Sequence, residues 1–337
     1  MSPDSVESST SGMSPHFRRL MQIPTPAIFA ACLVLAVVLL WWQGALDKLW
    51  DVIRDASLPL TMAGFAFFVV GLALLCYRWH ALVKMANGGV SNLPRASEAF
   101  LTSVVINYAA PVGLAVPSRA ALTKRTLGLD ASATGKIALW EIASDVLVLG
   151  LGSVLWLVFA NGSFRAVTDE LDDAAVQFIF LAVVLVAFAM IAGIVFLRRP
   201  TLRGKVSRLI RQIIVAPRDR PRAAAEVLGI TVVYWILQGI SLAFFVRAMH
   251  VDVNFEFLHG ITTVPFLVGI LSPIPGGAVV RESLMYVVAR FSDVPGSEVV
   301  AAAVLYRMAL FVSIPILFLG VRLWIRTQAI QPDRHIA

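Results

Sequence analysis

The sequence predicts an all-α integral membrane protein with about six transmembrane helices plus two oppositely oriented re-entrant helical hairpins, arranged as an inverted repeat. Three observations predict it. Of the 337 residues, 58% are hydrophobic and only 15% charged, against about 25% charged in soluble domains. The mean hydropathy is +0.81, more apolar surface than a soluble chain of this length can bury. Apolar runs recur at the ~20-residue length that a membrane span needs, and two further runs are broken by Pro and Gly between flanks of matching character.

Residues 1–26, rich in Ser and Pro, read as a mobile cytoplasmic N-terminus. A secretory signal does not fit, because the run 27–42 lacks a small-x-small exit and ends in Trp41 and Trp42, an interfacial pair. The first span is 27–46, and further spans follow at 58–77, 137–160, 174–197, 229–248 and 299–321. The polytopic domain covers 27–325, with a first half at 27–197 and a second at 229–325. Residues 326–337 form a cytoplasmic tail.

Loop charge sets the orientation, since Lys and Arg concentrate on the cytoplasmic side. The 78–96 loop carries Arg78, Lys84 and Arg95, and 117–136 carries Arg119, Lys124, Arg125 and Lys136. Both flanks of the broken stretch 97–118 are thus cytoplasmic, so the chain enters, turns near Pro111, Gly113 and Pro117, and returns. The 161–173 loop has Arg165 against Asp169, Glu170, Asp172 and Asp173, and reads as external. Residues 198–222 hold nine Lys/Arg and one acid, so they lie inside, as a basic linker or an amphipathic helix on an anionic leaflet. The second broken stretch, 258–290, is interrupted by Pro265, Pro273, Pro275, Gly276 and Gly277, and starts and ends outside. Reading each broken stretch as one kinked span would give eight spans and set basic segments on opposite faces, against the charge rule.

Charged residues inside apolar runs are costly and mark function by default. They are Glu98, Arg119, Glu141, Asp145, Arg281, Glu282 and Arg307. Glu141 and Asp145 lie one helical turn apart on one face. Pairing Arg119 with Glu141 or Asp145, and Glu282 with Arg307, would tie each hairpin to the span after it. These pairs either hold the hairpins or exchange a protein carboxylate for a ligand phosphate, which the guanidinium fork grips in two places. Backbone N–H groups freed near Pro111–Gly113 and after Pro275-Gly276-Gly277 share the anion preference. Asn107 either satisfies freed backbone groups or touches the ligand.

No His/Cys/Asp/Glu cluster has metal spacing, and no phosphate-loop or nucleophile-elbow motif occurs, so neither a metal nor a cofactor is expected. Cys32 and Cys76 lie in apolar runs and read as packing residues. The excess of +7 needs no nucleic-acid partner, because 198–222 alone supplies it.

The block Asn107-Tyr-Ala-Ala-Pro111-Val-Gly113 through Pro117-Ser-Arg119, with Glu141 and Asp145, resembles the first signature of the lysylphosphatidylglycerol synthase transmembrane region, or flippase-like, family. Pro273-Ile-Pro275-Gly276-Gly277-Ala-Val-Val-Arg281-Glu282, with Tyr306-Arg307, resembles its second. The similarity covers about 27–325. Two positions depart: no acid lies between Gly113 and Arg119, and Ile142 and Ala143 stand where an arginine often follows the glutamate.

The resemblance implies lipid handling. The expectation is a membrane lipid flippase or transporter-like protein of the bacterial or archaeal cytoplasmic membrane, with both termini cytoplasmic. It would bind or move an anionic phospholipid or lipid-linked glycan. Arg119, Arg281, Arg307 and Asn107 would contact the head group, while Glu141, Asp145 and Glu282 would supply supporting ion pairs or proton coupling. The family's synthases add an aminoacyl-transfer domain; neither that domain nor that transfer is expected here. The alternative is a membrane subunit, catalytic or not, of a glycolipid or polysaccharide pathway beside a glycosyltransferase or lipid-modifying enzyme.

Overall fold

The structure, a computed structural model, describes residues 24–42, 52–86, 91–109, 122–123, 125–129, 131–159, 204, 218–272, 277 and 280–330. The expected span 174–197 and most of the basic segment 198–222 lie outside the described residues. So do the first hairpin's turn and return, including Pro111, Gly113, Pro117 and Arg119, and residues Pro273, Pro275 and Gly276 of the second.

The described residues form helices without strands. They are α1 (Thr25–Trp42), α2 (Leu58–Ala86), α3 (Leu93–Ala109), α4 (Ala131–Phe159), α5 (Pro221–Ala248), α6 (Phe255–Leu271), α7 (Val280–Phe291) and α8 (Gly296–Ile330). Four of them, α2, α4, α5 and α8, are long and apolar enough to cross a membrane. Their outward faces remain greasy: Leu58 and Met62 on α2, Leu151 and Val154 on α4, Ile236 on α5 and Leu319 on α8 are all exposed. Acyl chains are the solvent that tolerates such faces.

Helix boundaries follow local chemistry. Pro221 opens α5, where a missing N–H costs nothing. Asn254 caps α6 by accepting a hydrogen bond from the Phe257 N–H at 2.7 Å. α3 is described as far as Ala109, and Pro111 lies beyond the described residues. The expected interruption at Pro265 is not a break, since α6 runs through it and the chain leaves the helix only at Ser272. A proline removes one ladder bond but need not end a helix whose neighbours hold it.

The core is an antiparallel pair, α2 and α5. Ser57 N–H donates to the Ala248 carbonyl at 2.8 Å, Ser241 to the Gly64 carbonyl at 2.8 Å, and Arg220 at the far end to the Met85 carbonyl at 3.1 Å. Partners therefore descend along α5 as they ascend along α2. Gly64 and Gly71, seven residues apart on one face, let the Phe245 ring and the Gln238 side chain close against the α2 backbone.

The remaining helices pack around this pair in matching ways. α2 touches α3, α4 and α8, while α5 touches α6, α8 and α4. Outside the pair, α4 packs on α6 and α8 packs on α3. Exchanging α2 with α5, α3 with α6 and α4 with α8 maps this set of neighbours onto itself. α7 packs on α6 and α8.

Between α6 and α7 the structure describes Ser272 and Gly277. Gly277 sits there in the left-handed region at φ +63°, and a Cβ on it would fall 2.8 Å from Gly269 Cα. Only glycine meets both conditions. With 12 residues, α7 rises about 18 Å, and α6 with 17 residues about 25 Å. Neither reaches the ~30 Å of a bilayer core.

Candidate functional site

Two groups of charge lie inside the bundle. The first centres on Arg78, which the loop reading placed in a cytoplasmic segment. α2 does not end at residue 77; it continues to Ala86 and carries Arg78 inward to 3% exposure. Its Nη1 lies 2.6 Å from Asp145 Oδ1 and its Nη2 3.1 Å from Oδ2, a fork-to-fork pair. Glu141 Oε1 lies 3.8 Å from the same Nη2. α5 completes the shell: Nη1 also donates to Thr231 at 3.3 Å, and the Trp235 indole N–H donates to Asp145 Oδ1 at 3.0 Å. The helical spacing of Glu141 and Asp145 does place both beside one cation. That cation is Arg78 for Asp145; Arg119 falls outside the described residues.

The second group stands where α7 starts. Arg281 Nη2 lies 3.2 Å from Glu282 Oε1, and Arg307 Nη2 lies 2.5 Å from that same oxygen. Arg307 comes from α8, so the residues read from sequence as partners across the second hairpin do meet. The Arg281 guanidinium also covers two ring faces, Phe266 at 4.9 Å and Tyr306 at 5.4 Å. Glu282 Oε2 and Arg307 Nε are buried with no hydrogen-bond partner among the described residues.

Aromatic side chains link the groups. Trp235, bonded to Asp145, meets Phe266 edge-on at 5.3 Å, and Phe266 meets Tyr306 edge-on at 5.5 Å. The Tyr306 hydroxyl donates to Gln238 Oε1 at 2.6 Å, deep in the bundle. Edge-to-face pairs of this kind fix ring orientation as well as filling space.

Other expected residues stand apart. Glu98 accepts from Arg322 at 2.9 Å, because α8 extends to Ile330 rather than ending at residue 321. Asn107 lies near the end of α3, and its side chain falls outside the described residues. No group of three metal-ligating side chains occurs among the described residues. Cys32 and Cys76 are both free thiols.

Sequence reasoning missed Arg78, Thr231, Trp235, Gln238 and Arg322. One signal was present for Arg78: after it, Trp79 and the run from Ala81 to Val83 continue the apolar pattern, so the arginine is interior to the run rather than beyond it.

Long apolar helices with lipid-facing sides and ion pairs held inside the bundle define a multi-pass α-helical membrane protein. Residues 28–320 match the family described as the lysylphosphatidylglycerol synthase TM region, and the chain belongs to that family. No curated protein and no solved structure matches it.

Proposed function

We propose that this protein binds an anionic membrane lipid by its head group and carries it between leaflets. The observation that carries the reading is the convergence of Arg281 and Arg307 on one oxygen of Glu282, beside the start of α7. Among the described residues the Arg307 Nε–H has no hydrogen-bond partner, and helix-start N–H groups favour the same sign of charge. A phosphate oxygen arriving there takes the Arg307 donor that Glu282 does not use. Membership of the lysylphosphatidylglycerol synthase TM region family supports a lipid as the bearer of that phosphate.

The route is a polar path inside an inverted repeat of six spans and two re-entrant hairpins. The antiparallel run of α2 against α5 and the exchange symmetry of the helix contacts support that arrangement. The shortness of α6 and α7 supports a hairpin that enters and leaves on one face. The basic segment 198–222 and both termini face the cytoplasm of a bacterial or archaeal cell, with Arg119 and Asn107 serving the first hairpin. The Arg78 group, with Asp145 and Glu141, holds α2, α4 and α5 together in the resting state and offers carboxylates for proton coupling.

The test is reconstitution into vesicles with a fluorescent anionic phospholipid. Wild type should move the label between leaflets, and Arg307→Ala should slow it at least tenfold. Equal movement in folded Arg307→Ala and Glu282→Ala proteins sinks the assignment of this site.

A further inference from the structure

The contact between Arg307 and Glu282 uses only one edge of each group. Arg307 Nη2 is spent on Glu282 Oε1, while Arg307 Nε and Glu282 Oε2 are both buried without a hydrogen-bond partner among the described residues. One is a donor and the other an acceptor. A buried group of either kind is costly when left unmet. A phosphate alone satisfies Arg307 Nε and brings Glu282 a second anion, which repels it. A ligand that meets both presents an anionic oxygen and, close to it, an O–H or N–H.

We infer that Glu282 is a specificity-determining residue, selecting phospholipids whose head group carries a hydrogen-bond donor next to the phosphodiester. The inference rests on the anionic-lipid reading above and narrows it. The ligand's phosphate oxygen binds Arg307 Nε–H, and its hydroxyl or ammonium donates to Glu282 Oε2. Because Oε1 is already shared by Arg307 and Arg281 Nη2, the carboxylate stays fixed while Oε2 reads the ligand. Head groups with the same charge and no donor leave Oε2 unmet.

The purified full-length protein is incubated with mixed micelles containing equal amounts of phosphatidylglycerol, phosphatidylmethanol, phosphatidylethanolamine and phosphatidylcholine with identical acyl chains. Lipid retained after repurification is quantified by mass spectrometry. Phosphatidylglycerol and phosphatidylmethanol carry the same charge and differ in the donor. Retention of phosphatidylglycerol over phosphatidylmethanol on the order of tenfold, the size of one hydrogen bond to a charged group, supports the inference with a hydroxyl as donor. Comparable retention of phosphatidylethanolamine supports it with an ammonium. In Glu282→Ala the preference should fall to about one while both anionic lipids are still retained. The wild-type ratio decides even where that variant fails to fold. Equal retention of phosphatidylglycerol and phosphatidylmethanol, both above phosphatidylcholine, overturns the inference and leaves the anionic-lipid reading standing. Retention of no anionic lipid above phosphatidylcholine overturns both.

Discussion

Arg78 and Asp145 lie 67 positions apart in the chain and meet through both nitrogens of one and both oxygens of the other, at 2.6 and 3.1 Å. The contact joins α2 to α4, and Trp235 and Thr231 join it to α5. One buried cation therefore ties three membrane helices. Removing Arg78 leaves two buried carboxylates without this cation, and removing Asp145 leaves Arg78 with only the longer contact to Glu141 at 3.8 Å.

Asp145→Ala should destabilise the protein by about 3–5 kcal/mol, the usual size for breaking a buried pair from one side. Arg78→Lys should cost less than Asp145→Ala without being neutral, because an ammonium keeps the charge but cannot make both contacts in parallel. The double change Arg78→Met with Asp145→Leu should lie closer to wild type than either single change. Thermal unfolding in detergent measures all three, and a double variant as unstable as the sum of the singles contradicts the pairing.

Tyr306→Phe deletes the hydroxyl that Gln238 accepts from at 2.6 Å. Gln238 is buried on α5, so its oxygen has no water to turn to. A loss of about 1–3 kcal/mol is expected. Adding Gln238→Leu should restore most of it, since removing both partners leaves nothing unmet. The same unfolding measurement gives the coupling.

Gly277 and Gly128 separate strain from crowding. Both have positive φ, +63° and +68°, but a Cβ meets the Gly269 backbone at Gly277 and open space at Gly128. Gly128→Ala should cost about 1–2 kcal/mol from the backbone alone. Gly277→Ala should cost about 1–3 kcal/mol more, because two backbones must move apart. Equal losses at the two positions would mean that α6 and α7 do not close at this turn.

The proposed re-entrant hairpin of α6 and α7 makes a simple topological prediction. Asp252 precedes it, Asp293 follows it, and both are exposed. Single cysteines at these positions, in a background with Cys32 and Cys76 replaced, should react with a membrane-impermeant maleimide from the same side. Labelling from opposite sides would make the segment one kinked span.

The second site was more legible than the first, for a reason that lies in distance along the chain. Pro273-Ile-Pro275-Gly276-Gly277 announces a turn by composition, and Arg281 and Glu282 follow within one helical turn. Arg307 stands in the next apolar run, so proximity suggests the Glu282 pair. Arg78 gave no comparable hint of its partner. An arginine near the end of an apolar run reads alike whether it snorkels to the interface or turns inward to a carboxylate.

Local properties were set by the sequence itself. Apolar length made the four long helices, the missing side chain of Gly277 allowed its left-handed backbone, and the spacing of Glu141 and Asp145 put both on one face of α4. These need only the chain's near neighbours. Three features needed the tertiary structure: the antiparallel seam of α2 and α5, the Arg78–Asp145 pair, and the aromatic run from Trp235 through Phe266 to Tyr306. Each joins residues tens of positions apart, and inside a membrane their partners are chosen by which polar groups meet once the helices pack. No periodicity in the sequence records that choice, because lipid rewards every apolar face equally and leaves packing and buried polar contacts to decide between them.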